Sequence, residues 1–171
     1  MTFGLLATSP RWLEEQTAQE LDVVLSALGD NPKIEKADPP GIILIKSSIP
    51  FSHVINELRK ILADEPWRIR HLQRVVPLEI VSESFNNIVN LIQPYLERIK
   101  EKDTFRVTVE KRFSRISSRD IINKIAGLIQ NRVNLENPDW VIQIEIIGKI
   151  IGASVIRPND ILSVLREKRG F

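Results

Sequence analysis

The ten residues Glu110-Lys111-Arg112-Phe113-Ser114-Arg115-Ile116-Ser117-Ser118-Arg119 carry four cations and one acid. Before them, Phe105, Val107 and Val109 alternate with Arg106, Thr108 and Glu110, the period of a half-buried strand. After them, Ile121, Ile122, Ile125, Leu128, Ile129 and Val133 recur at helical spacing, with Ser117-Ser118 as the opening and Ser117 to Asp120 at capping-box distance. A strand therefore ends, a basic loop follows, and a helix begins. The free N–H groups and positive dipole end of that helix favour an anion, and Ser117 or Ser118 can cap it while offering a hydroxyl outward. The chemistry expected is phosphate binding, weighed against a merely solvated loop. For Phe113 a buried anchor is favoured over a platform for a stacked base.

Other chemistry finds little support. The seven glycines are scattered, and none builds a phosphate loop after a strand. His53 and His71 lie eighteen residues apart with no third ligand at metal spacing. The acid pairs Glu14-Glu15 and Asp64-Glu65 fall on a helix face and a helix end, where solvation explains them. The absence of cysteine excludes disulfides and thiolate metal sites. Neither catalytic residues, nor a metal, nor a cofactor is expected, and the chain reads as a binding protein without an activity of its own.

Charge supports an anionic partner. Residues 1–80 hold 9 Lys/Arg and 11 Asp/Glu, whereas residues 81–171 hold 15 and 11. Between Arg106 and Arg132, seven basic residues face only Glu110 and Asp120. With 171 residues, 43% of them apolar, the chain can bury one core or two small ones. The apolar stretch Phe3 to Ala7 lacks a basic flank and is too short for a signal peptide or a membrane span, so a cytoplasmic protein is expected.

The elements that must position the loop follow from periodicity. Thr2–Thr8 reads as a strand, Arg11–Leu28 as a helix, Lys33–Lys36 and Ile42–Lys46 as strands about a Pro-Gly turn, the segment from Pro50 to about Asp64 as a helix, and Trp67–Val76 as a strand. That order, βαββαβ, predicts a ferredoxin-like antiparallel sheet with both helices on one face. A second α/β module follows: a helix over 85–99 with Pro94 as a blemish, the strand and helix around the basic loop, strands Trp140–Ile147 and Ile150–Ile156, and a helical or frayed segment from Asp160. The fold class is α+β, with a ferredoxin-like module over 1–76 and the second module over 77–171.

Four stretches of the second half are similar to the THUMP domain: Arg74-Val75-Val76-Pro77-Leu78, Phe105 through Arg112, Asn134-Leu135-Glu136-Asn137-Pro138-Asp139, and Gly152-Ala153-Ser154-Val155-Ile156. The resemblance spans about residues 74–165, and a ferredoxin-like module in front of it also fits the family. It is nearest to standalone THUMP proteins related to the tRNA acetylation adaptor. It implies binding of the tRNA acceptor stem and 3′ end, and presentation of that tRNA to an RNA cytidine acetyltransferase that forms N4-acetylcytidine. By motif position it assigns Lys111, Arg112, Arg115, Ser117, Ser118 and Arg119 to RNA, and Arg157, flanking the final strands, is added to them. Two alternatives stay open: the RNA-binding subunit of a split methyltransferase or thiouridine synthetase, and a protein-interaction module without a specific RNA role.

Overall fold

The computed structural model describes residues 4–170, which form two units of an α+β protein. The first contains β1 (Leu5–Thr8), α1 (Glu14–Ala27), β2 (Lys33–Lys36), β3 (Ile42–Lys46), α2 (Phe51–Asp64) and β4 (Arg74–Pro77). Its strands pair antiparallel in the order β2-β3-β1-β4, the order of a ferredoxin-like βαββαβ module. Alternation decides which residues meet the helices. Leu5, Ala7, Ile43, Ile45 and Val75 pack with Leu21 and Leu25 of α1 and with Leu58 and Leu62 of α2. Each such buried Leu, Ile or Val side chain contributes about 1.5–3 kcal/mol. Thr2 and Phe3, part of the first expected strand, lie outside the described residues.

The last strand of this module is shorter than its apolar pattern predicts. Pro66-Trp67-Arg68 forms a single 3-10 turn, and the N–H groups of Arg70, His71 and Leu72 donate to the Glu20 carboxylate at 2.8, 2.9 and 3.1 Å. A side chain from α1 thus takes the hydrogen bonds that a neighbouring strand would otherwise supply, and pairing starts only at Arg74. His71 belongs to this loop rather than to a strand.

The second unit spans Leu78–Pro158. It contains β5 (Ile80–Ser82), α3 (Phe85–Leu96), β6 (Phe105–Arg112), α4 (Ser118–Ala126), β7 (Trp140–Ile147) and β8 (Ile150–Ile156). The sheet order is β5-β8-β7-β6, with β6 and β7 parallel and the other pairs antiparallel. One face packs Ile88 and Ile92 of α3 and Ile121 and Ile125 of α4 onto Phe105, Val107, Ile142, Ile144, Ala153 and Val155. Leu128 and Val133, which share the helical spacing of the core residues Ile121 and Ile125, are exposed instead, as is Leu91 of α3. α4 stops at Ala126, one residue before Gly127, so its apolar period runs on past the end of the helix. Pro94 lies inside α3, which continues through it to Leu96. β5 is a strand that the polar Ser82-Glu83-Ser84 concealed.

The expected module over 77–171 does not hold at its C-terminal end. Residues from Asn159 group with the first unit, because β9 (Leu162–Ser163) pairs antiparallel with β4 and extends that sheet. α5 (Val164–Lys168) follows it. Arg59 of α2 ties this return down, donating through Nε to Glu167 at 2.9 Å. Two paired residues are too short a strand to read from alternation. No helix among the described residues is long and apolar enough to cross a membrane.

Candidate nucleic-acid interface

The basic loop is anchored at both ends. β6 ends at Arg112, whose carbonyl accepts from the N–H of Gly148 at 2.8 Å. Gly148 begins the two-residue turn between β7 and β8 with a positive φ of 58°. At the far side, Ser117 caps α4, its hydroxyl accepting from the Asp120 N–H at 3.2 Å. Between them, Lys111 Nζ donates to the Ile116 carbonyl at 3.0 Å, and Ser114 Oγ accepts from the Ile116 N–H at 3.2 Å. The loop is thus closed by its own polar groups, and Ser117 is the N-cap of α4.

The seven residues singled out from sequence do not form one set. Lys111, Arg115, Ser117, Ser118 and Arg119 lie along the loop and the first turn of α4, with Lys111, Arg115, Ser117 and Arg119 exposed. Arg115 and Arg119 have no ion pair among the described residues. Arg112 is different. Its guanidinium pairs at 2.9 Å with Oε2 of Glu145, a carboxylate with 0% side-chain exposure on the adjacent strand, whose Oε1 accepts from Gln143 Nε2 at 3.0 Å. A buried acid needs its counter-ion, so Arg112 is held by the fold and is poorly placed to serve a phosphate as well.

Arg157 stands apart from the loop. β7 and β8 pair Val141 with Ile156, so Arg157 follows at the Trp140 end of the sheet, while Arg112 faces Ile147 at the other end. Across the eight residues of β7 that separation is about 23 Å along the strand. Arg157 lies 3.8 Å over the Trp140 ring and donates to the Asp139 carbonyl at 3.1 Å. Asp103 belongs to the same group. Its carboxyl accepts from the Lys100 N–H and the Trp140 indole, both at 2.9 Å, and these bonds, with the nearby Arg157 charge, hold it below the usual carboxylate range. The Asn134–Asp139 run is architectural too. Asp139 accepts from the Thr104 N–H at 2.8 Å, and Asn134 Oδ1 accepts from the Asn137 N–H at 2.9 Å.

Two features at this end of the sheet differ from what the sequence predicts or are not legible in it. Phe113 is 68% exposed, not a buried anchor. Lys149 is exposed and follows Gly148, so its backbone lies at the same end of the sheet as the basic loop. Only the parallel pairing of β6 with β7 brings residues 112 and 148 together, and neither charge nor spacing in the sequence signals it. Among the described residues, no group of three or more His, Cys, Asp or Glu could hold a metal ion.

Residues 82–155, from the end of β5 to the penultimate residue of β8, match the THUMP domain family. This chain contains a THUMP domain. The match takes in the basic loop, α4 and the β7–β8 turn. The chain is also 31% identical over 122 residues to an uncharacterized protein, MJ0421, of Methanocaldococcus jannaschii, a stretch covering 68% of this chain and 34% of that protein. It therefore spans about a third of the length of this relative. Among solved structures, the protein PH1313 from Pyrococcus horikoshii superimposes with a TM-score of 0.68 at 20% identity, over 91% of this chain and 55% of that one. A 4-thiouridine synthetase crystallised with RNA and ATP gives 0.59 at 16% identity, over 91% and 42%. TrmN from Thermus thermophilus gives 0.58 at 14%, over 92% and 47%. At these identities the likeness is one of fold, and it extends beyond the THUMP domain into the βαββαβ unit.

Proposed function

We propose that this chain is an RNA-binding module that holds tRNA for a modifying enzyme, with its contacts directed mainly at phosphates. The observation that carries the reading is the anchored basic loop of the THUMP domain, where Arg115 and Arg119 stand exposed without ion pairs among the described residues and Lys149 lies at the same sheet end. Lys111 adds a fourth charge while bracing the loop. Such a cluster attracts a polyanion and fixes its register without reading its sequence. Ser118, in the first turn of α4, adds a hydroxyl and an N–H at the positive end of the helix.

The finer reading follows the adaptor likeness: the acceptor stem and 3′ end are the part of tRNA held, an RNA cytidine acetyltransferase is the enzyme served, and the chain is not itself catalytic. A second reading is the RNA-holding part of a thiouridine synthetase or methyltransferase type of enzyme, which the fold shared with the RNA-bound 4-thiouridine synthetase favours. The test is a titration with native tRNA and with the same tRNA trimmed of its 3′ nucleotides. Tight binding lost on trimming supports acceptor-end recognition, and equal affinity for both contradicts it. Acetylation of bound tRNA by an acetyltransferase, stimulated by this chain, separates the adaptor from the second reading.

A further inference from the structure

We propose that Phe113 is a stacking platform for one unpaired nucleobase, so that the interface takes single-stranded RNA beside the phosphates held by its cations. The inference rests on the RNA-binding reading above and adds the part of the nucleotide that the cations cannot recognise. Phe113 has a φ of 56°, a left-handed conformation that a bulky L-residue rarely adopts. The residue is nonetheless 68% exposed, so the burial of an anchor does not offset that strain. Strain in an exposed aromatic, imposed by a loop hydrogen-bonded on both sides, points to a role for the ring outside the fold.

Charge identifies the occupant. Phe113 lies in sequence between Arg112 and Arg115, in the loop braced by Lys111, and its neighbour Arg112 bonds through its carbonyl to the turn carrying Lys149. A nucleotide offers an aromatic face and a phosphate a few ångströms apart, which matches an exposed ring set among cations. A second exposed aromatic in the first unit shows what the charge decides. Trp12 is 85% exposed with a φ of 73°, but Glu14 and Glu15 after it outnumber Arg11 before it, a local balance that disfavours phosphate. Bases within a duplex have no free face, so the platform requires an unpaired one.

The experiment measures binding of the full chain to a blunt RNA duplex and to the same duplex with a short unpaired tail, by fluorescence anisotropy. Phe113→Ala and Phe113→Leu are expected to weaken binding of the tailed RNA about tenfold and to leave the blunt duplex unchanged, while Phe113→Trp retains affinity. Phe113→Gly, which relieves the left-handed strain, keeps or raises the melting temperature yet loses the tail preference, which excludes misfolding as the cause. Wild-type affinity for both RNAs in Phe113→Ala and Phe113→Leu, as expected if the ring serves a protein partner, overturns this inference and leaves the RNA-binding reading standing. A wild-type chain that binds neither RNA overturns both.

Discussion

The Arg112 guanidinium lies 2.9 Å from Oε2 of Glu145, and the acid has no exposed side-chain surface. This pair divides the basic cluster into cations that hold the fold together and cations that face outward. Arg112→Ala leaves a buried carboxylate short of its counter-ion, with Gln143 as a neutral donor beside it. The expected loss is about 3 kcal/mol in urea denaturation, with part recovered when Glu145→Gln is added. Any fall in RNA affinity of the single variant should follow its loss of folded protein. An Arg112→Ala variant of wild-type stability with weakened RNA binding would return this residue to the interface.

Asp103 makes the second unit sensitive to acid. Hydrogen bonds from the Lys100 N–H and the Trp140 indole hold its carboxyl below the ordinary range, so the folded state binds its proton less readily than the unfolded chain does. The stabilisation is therefore complete above the unfolded carboxylate range and is lost as pH falls through the depressed folded value. Melting curves from neutral to acid pH should show wild type losing its margin over Asp103→Asn as pH falls. A constant margin at every pH would show that the carboxylate charge is immaterial.

Gly41 is a backbone requirement of the first unit. Its φ is 79°, and a Cβ there would lie 2.6 Å from the Ser9 carbonyl oxygen. Its N–H donates at 2.7 Å to Glu14, whose carboxyl is held low chiefly by that bond. Gly41→Ala should cost more than about 1 kcal/mol, since neither the conformation nor the space admits a methyl group. An unchanged urea midpoint would contradict the geometry.

Much of the fold was legible because periodicity reports burial. β2, β3, β7 and β8 fall on the stretches their apolar patterns predict, and the Pro50 and Ser117 starts mark α2 and α4 to within a residue. The failures have physical causes. Trp67–Val76 has a strand's composition, but its start folds into a 3-10 turn and the Glu20 carboxylate takes the N–H groups of Arg70, His71 and Leu72 from 50 or more residues away in sequence. β9 is two residues long and exists only through its pairing with β4.

The candidate site was legible as a charge cluster and not as a geometry. Lys111 at the end of β6, Arg115 in the loop and Arg119 in the first turn of α4 lie together as local order requires. Arg112 looks identical to them in sequence, and only the register of β6 on β7 sets it beside Glu145. Arg157 looked like a flank of the same site, but the antiparallel turn carries it to the opposite end of the sheet. The exposure of Phe113 is not legible in the sequence, because an apolar residue in a loop is more often an anchor and a left-handed φ cannot be read from composition.

The most direct test is the salt dependence of tRNA affinity for wild type, for the triple variant Arg115→Ala/Arg119→Ala/Lys149→Ala, and for Arg157→Ala, all checked for folding by circular dichroism. If the three outward cations neutralise phosphates, the slope of log K against log salt falls by about 2–3 in the triple variant and stays at the wild-type value in Arg157→Ala. Equal slopes for the triple variant and wild type would contradict the account, because the loop would then be solvated and the RNA held elsewhere.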